Sequence, residues 1–109
     1  MRRFLYLVTK KCRIYAACGV SQTPSDIYPR KELNLQEREM ITITSLLTAG
    51  GCEPQLEVHI NGSLNVGIAP ENIIETFIQC IPYTGFPKVL NAIFVAKKIF
   101  AERGITFEK

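Results

Sequence analysis

The chain has 109 residues, of which 47% are hydrophobic and 21% are charged, and these values indicate one globular domain rather than a disordered chain. Its net charge of +3 is too small to indicate nucleic-acid binding. No run of 18 apolar residues occurs, so no membrane-spanning helix is predicted. We therefore expect a small globular protein that binds neither nucleic acid nor a membrane.

Residues 1–29 form a separate compositional zone, basic at first and rich in turn-forming residues near its end. The apolar run that follows Arg2 and Arg3 is shorter than a secretory signal needs, so we predict a cytoplasmic protein. The four cysteines include no Cys-x-x-Cys pair, and reduced, mostly buried thiols are the simplest interpretation. We divide the chain into a divergent N-terminal segment, residues 1–29, and a helical domain, residues 30–109.

The helical domain is predicted to contain four helices, each bounded by residues that begin or end helices. The first helix spans about residues 35–49, and short connections predict nearly antiparallel neighbours. The fold class is therefore an all-α, compact antiparallel helical bundle. The bounding residues are, in chain order, Asn34 and Gly50-Gly51, Pro54 and Gly67, Pro70 and Pro82, and Gly85-Phe86-Pro87 and Gly104.

Apolar residues recur at helical spacing along all four helices and predict the core. The third helix carries more apolar surface than a lone bundle of this size usually hides, so we expect contact with another subunit. The predicted core positions are Met40, Ile43, Leu46 and Leu47; Leu56, Ile60, Ser63 and Leu64; Ile73, Ile74, Phe77, Ile78 and Ile81; and Val89, Leu90, Ile93, Phe94, Ala96 and Phe100.

Three side chains are candidates for chemistry. His59, the only histidine, lies on or beside the apolar stripe of the second helix, as either a core residue or a general acid–base group. Glu39 lies at the edge of the buried stripe of the first helix, where partial burial would tune its carboxylate for acid–base chemistry. Cys52 directly precedes the second helix, where the helix dipole stabilises a thiolate.

Five short segments, in this order and spacing, resemble the carboxymuconolactone decarboxylase family over roughly residues 26–103. They read LQERE at 35–39, HINGSLNVG at 59–67, PENIIE at 70–75, YTGFP at 83–87 and NA at 91–92. The resemblance implies an all-helical fold of the alkylhydroperoxidase D type that assembles as homo-oligomers, often trimers or hexamers. One branch of the family removes carbon dioxide from 4-carboxymuconolactone, and the other contains thiol peroxidases with a glutamate, a Cys-x-x-Cys pair and a histidine.

In this resemblance Cys52 corresponds to the first thiol and Gln55 to the second, while Glu39 lies one residue from the place of the glutamate. The acid–base residues are retained and the dithiol is lost. This favours a decarboxylase-like enzyme that acts on a small carboxylated lactone or related acid without a cofactor. His59 would be the proton donor or an electrostatic stabiliser, and Glu39 would orient the imidazole of His59. Ala69 replaces the threonine that usually caps the third helix.

Two alternatives remain. The first is a thiol-dependent peroxidase that uses Cys52, with Cys80 as a resolving partner. The second is a non-catalytic, oligomeric helical module whose basic N-terminus contacts an acidic partner. Loss of thiol chemistry on Cys52→Ser distinguishes the first from acid–base catalysis, and salt-sensitive binding that needs residues 1–13 distinguishes the second.

Overall fold

The computed structural model describes residues 29–107. The chain divides into two units, Met1–Asn34 and Leu35–Lys109, and every helix described below belongs to the second. Residues 1–28 lie outside the described residues, and they include the basic cluster and all but the last residue of the divergent N-terminal segment. Our expectations for that segment therefore stay predictions.

Five helical segments follow one another, and residues 29–107 contain no strand. The all-α fold class is confirmed. No helix in this part of the chain combines the length and the apolar character needed to cross a membrane. The segments are α1 (Leu35–Ala49), α2 (Glu53–Asn65), α3 (Pro70–Gln79), α4 (Ile81–Thr84) and α5 (Phe86–Glu102).

Pro82 divides the third predicted helix into two. α3 ends at Gln79, and α4 is a single turn that carries Pro82 among its first residues. A proline has no N–H to donate to the carbonyl of Ile78, and its ring would clash with that carbonyl, so α3 cannot continue through this position. The prediction that Pro82 stops or kinks this helix is confirmed.

Two consecutive glycines end α1. Gly50 and Gly51 have φ angles of +75° and +70°, a conformation that is strained for any residue with a Cβ. Lys88 of α5 donates a hydrogen bond from Nζ to the carbonyl of Thr48 at 3.0 Å, which satisfies one of the free carbonyls at the end of α1. The glycine pair therefore turns the chain directly into α2.

The core lies where α1, α2, α3 and α5 meet. Most of the predicted apolar positions contribute to it, but Met40, Ile78, Leu90 and Phe94 are exposed, so these four core assignments were wrong. The reason is clearest in α5, where the three other long helices cover one face and leave the side that carries Leu90 and Phe94 outside. The buried residues of α5 are Val89, Ala92, Ala96, Ile99 and Phe100.

The start of α3 has no side-chain cap. Ala69 occupies the N-cap position with φ −64° and ψ 142° and makes no capping hydrogen bond. We expect Ala69→Ser to raise the free energy of unfolding by about 1 kcal/mol, because a serine hydroxyl accepts a hydrogen bond from a first-turn amide. Chemical denaturation measures the change. Ala101→Ser, at an exposed position inside α5, is the matched control. An equal gain at both positions would contradict the capping explanation.

Candidate functional site

Glu39 of α1 and His59 of α2 meet where these two helices pack together. The Oε2 atom of Glu39 lies 3.1 Å from Nδ1 of His59. The Glu39 side chain is 8% exposed, whereas that of His59 is 32% exposed. The predicted contact between the two side chains is confirmed, and the pair combines a buried carboxylate with an imidazole that reaches solvent.

The contact defines the role of each imidazole nitrogen. When the Glu39 carboxylate is ionised it only accepts hydrogen bonds, and Nδ1 of His59 then carries a hydrogen and donates it to Glu39. In the neutral ring, Nε2 is then the acceptor; in the protonated ring, it is a second donor. Within residues 29–107 no other group is hydrogen-bonded to the His59 ring. Nε2 is therefore the nitrogen that can exchange a proton with a bound molecule.

The Glu39 carboxylate packs against α2 at Gly62. A Cβ built at Gly62 would lie 3.4 Å from Oε2 of Glu39, 3.5 Å from Cδ and 3.6 Å from Oε1. Gly62 follows His59 by three residues and so lies on the same side of α2. Since the carboxylate packs directly against α2 at this position, a branched side chain there would compete with Glu39 for its space.

Several residues of the family-like segments hold α2 in place instead of taking part in chemistry. Gln36 donates from Nε2 to the carbonyl of Val66 at 2.9 Å and so ties α1 to the end of α2. Ser63, fully buried, donates from Oγ to the carbonyl of His59 at 2.7 Å. These bonds fix the backbone on both sides of the Glu39–His59 pair.

Arg103, just beyond α5, connects the end of α5 to α2. Its Nε donates to Oδ1 of Asn61 at 2.9 Å, and its Nη2 donates to Oδ1 of Asn65 at 2.7 Å. Arg103 was not among the residues predicted from the sequence. One feature of the sequence could have predicted this contact. A cationic residue follows the last helix, and two asparagines four residues apart share one face of α2.

Cys52 lies away from the Glu39–His59 pair. It is the N-cap residue of α2, and its Sγ donates to the carbonyl of Gly50 at 3.5 Å. With Lys88 and Asn91 it lines a small cavity to which neither Glu39 nor His59 contributes. At this cavity the prediction that Cys52 borders a pocket shared with Glu39 and His59 is not met. Seven residues separate Cys52 from His59, which corresponds to about 10 Å along the axis of α2.

Cys80 lies at a second cavity. It is buried, and its Sγ donates to the carbonyl of Thr76 at 3.3 Å. Both described cysteines are free thiols. Cys80 lines an open groove of about 500 Å³ between α1 and the α3–α4 region, and neither Cys52 nor His59 contributes to that groove. The geometry thus gives no support to Cys80 as the resolving partner of Cys52.

Residues 29–107 contain no group of three or more His, Cys, Asp or Glu side chains that could bind a metal ion. Separately, the 3.1 Å contact between Glu39 and His59 has a geometry that allows proton transfer.

The chain belongs to the carboxymuconolactone decarboxylase family, whose model matches residues 23–98. It is 30% identical over 84 residues to a 4-carboxymuconolactone decarboxylase of Acinetobacter baylyi, a match that covers 77% of this chain and 62% of that protein. It is also 29% identical over 76 residues to an uncharacterised 15.0 kDa protein of Paracoccus denitrificans, covering 69% and 57% of the two chains. The chain thus spans about three fifths of the length of these curated relatives. The family resemblance seen in the sequence is confirmed.

Proposed function

We propose that this protein is an acid–base enzyme that decarboxylates a small carboxylated lactone or a related acid. The observation that carries the proposal is the 3.1 Å contact between Glu39 and His59, in which the carboxylate is buried and the imidazole is partly exposed. The name of the Acinetobacter relative, 4-carboxymuconolactone decarboxylase, supports the substrate class. We further propose a cytoplasmic location and a homo-oligomer, a trimer or a hexamer.

In the proposed reaction, the carbon–carbon bond to the substrate carboxylate breaks and carbon dioxide leaves. The bonding electron pair stays on the remaining carbon and is delocalised as an enolate. The protonated imidazole of His59 then delivers its Nε2 proton to that carbon, which forms the new carbon–hydrogen bond and leaves the ring neutral. A proton from water restores the imidazolium.

Glu39 acts through His59 in this proposal. Its carboxylate holds the Nδ1 hydrogen, which keeps Nε2 directed away from the pair, and its negative charge stabilises the imidazolium. Burial of the carboxylate strengthens both effects, because less water competes for its oxygens. The carboxylate packs against α2 at Gly62, where a Cβ would lie at contact distance from it.

A thiol peroxidase is the second candidate. Cys52 is a half-buried free thiol at the N-cap position of α2. The place of the second thiol is held by Gln55, and Cys80 lines a different cavity from Cys52. Both facts count against the arrangement of glutamate, dithiol and histidine that the thiol branch of the family uses. A peroxidase reaction here would leave Cys52 as a sulfenic acid that an external thiol must reduce.

The deciding assay uses the full-length protein, wild type and Cys52→Ser, with 4-carboxymuconolactone and, separately, with an organic hydroperoxide plus a thiol reductant. We expect release of carbon dioxide from the lactone by both proteins at similar kcat/KM. Consumption of hydroperoxide that disappears in Cys52→Ser, without lactone turnover, would replace our proposal by the peroxidase. Inactivity on both substrates, with salt-sensitive binding that needs residues 1–13, would indicate the non-catalytic module.

A further inference from the structure

The carboxylate of Glu39 has one oxygen without a hydrogen-bond partner in the described part of the chain. Its Oε2 atom contacts Nδ1 of His59, whereas no group within residues 29–107 donates a hydrogen bond to Oε1. The side chain is nevertheless only 8% exposed. A buried polar atom without a partner costs free energy, and the cost is larger for a charged group. In native proteins an ordered water commonly satisfies such an atom.

Gly62 of α2 lies directly against this oxygen. A Cβ at Gly62 would lie 3.6 Å from Oε1 and 3.4 Å from Oε2, which is ordinary van der Waals contact, so an alanine fits there. The backbone does not require glycine either, because Gly62 lies inside α2 and is not among the glycines with a positive φ. Inside a helix, alanine is favoured over glycine by a factor of about five in the folding equilibrium constant. Neither the backbone nor the steric fit therefore explains the glycine.

A methyl group at position 62 would keep water away from the carboxylate. It would cover the side of Oε1 that faces α2, and a methyl group donates no hydrogen bond in return. Glycine leaves that side uncovered, and the 8% exposed fraction of Glu39 means that solvent reaches its side chain. A water oxygen lies about 2.8 Å from the oxygen that it hydrogen-bonds, which is closer than a methyl carbon can approach. The space beside Gly62 therefore suits a water molecule better than a methyl group.

We propose that one water molecule occupies the space beside Gly62 and donates a hydrogen bond to Oε1 of Glu39, and that Gly62 is a positioning residue for the Glu39–His59 pair. The water completes the hydrogen bonding of the buried carboxylate. The carboxylate then stays directed at Nδ1 of His59 instead of rotating toward solvent. This role goes beyond the proposed function and does not depend on it, because it requires only that the pair forms.

Urea denaturation of Gly62→Ala and Gly62→Ser in the full-length protein, at one fixed protein concentration, tests the role of the water. Helix propensity alone ranks alanine above serine and serine above glycine. We expect Gly62→Ala instead to lower the folding equilibrium constant roughly ten-fold, because its methyl group leaves Oε1 buried without a donor. Gly62→Ser should stay within about three-fold of the wild type, because its hydroxyl replaces the water as the donor to Oε1.

Glu39→Met supplies the matched background for both variants. Methionine has nearly the volume of glutamate but no carboxylate oxygen to hydrate. In this background Gly62→Ala should therefore raise the folding equilibrium constant about five-fold, as helix propensity predicts, and Gly62→Ser should be less stable than Gly62→Ala. A double-mutant cycle of this kind isolates the interaction between positions 39 and 62. A stabilising Gly62→Ala in the presence of Glu39, or an equal effect of Gly62→Ala in both backgrounds, would overturn the proposal.

A crystal structure and kinetics extend the test to the pair itself. The wild type should show one ordered water about 2.8 Å from Oε1 of Glu39; a protein group bonded to Oε1 in its place would refute the proposal. With 4-carboxymuconolactone, Gly62→Ala should lower kcat with little change in KM, because Glu39 acts on proton transfer, and Gly62→Ser should restore kcat. Only this kinetic measurement rests on the proposed function. A wild type without lactone turnover but with the expected order of stabilities would refute that function and support the water.

Discussion

Replacing His59 by Gln is expected to lower kcat for decarboxylation by about 10²- to 10⁴-fold, the usual contribution of a positioned acid–base group. Glutamine roughly preserves the volume of histidine and can still donate a hydrogen bond to Glu39, but it cannot transfer a proton. The thermal unfolding temperature and the assembly size should therefore stay close to those of the wild type. If His59→Gln unfolds the protein instead, His59 is a structural residue and the catalytic assignment is wrong.

Glu39→Gln completes the test. We expect it to lower kcat less than His59→Gln does, because Glu39 acts through the imidazole. The double variant should be no slower than His59→Gln alone, since residues that act as a unit are strongly non-additive. Glu57→Gln makes the same chemical change at an exposed carboxylate of α2 that pairs with Lys98, and it should retain wild-type kcat. Additive losses from Glu39→Gln and His59→Gln would show that the two residues act separately.

Phe77→Ala is expected to lower the free energy of unfolding by about 3–5 kcal/mol, the usual effect of removing a buried aromatic ring. Phe77 has no exposed surface and is among the largest fully buried side chains in the described part of the chain. Truncation removes its contacts within the core cluster and leaves a cavity that the helices fill only in part. For a domain with a total stability of about 5–15 kcal/mol, this is a large share.

Ile78→Ala is the matched control for this prediction. Ile78 is the next residue of α3 but is 42% exposed, and we expect a loss of about 1 kcal/mol or less. Urea denaturation at one fixed protein concentration measures both variants, because association shifts apparent stability. Equal losses for the two variants would mean that Ile78 is also buried, as it would be if an assembly covers the groove that it lines.

The chemistry of the site was predictable only in part from the sequence. Glu39 and His59 could be chosen because their types and spacing match the family pattern, and helix packing then brought them together. The role of Gly62 was not predictable, because a glycine inside a helix carries no signal of what packs against it. Cys52 was assigned to the same pocket although its position on α2, seven residues before His59, already implied a separation of about 10 Å.

Local residues determined the helix boundaries. Gly50-Gly51, Pro70 and Pro82 act through the backbone of their own turn, so their effect can be read without knowing what surrounds them. Tertiary structure decided which apolar residues are buried: the sequence does not distinguish Leu90 from Ala92, yet Leu90 is exposed and Ala92 is in the core. The physical reason is that burial depends on which side of a helix its neighbours cover. Three long helices pack against one face of α5, which buries Ala92 and Phe100 on that face and leaves Phe86, Leu90 and Phe94 outside.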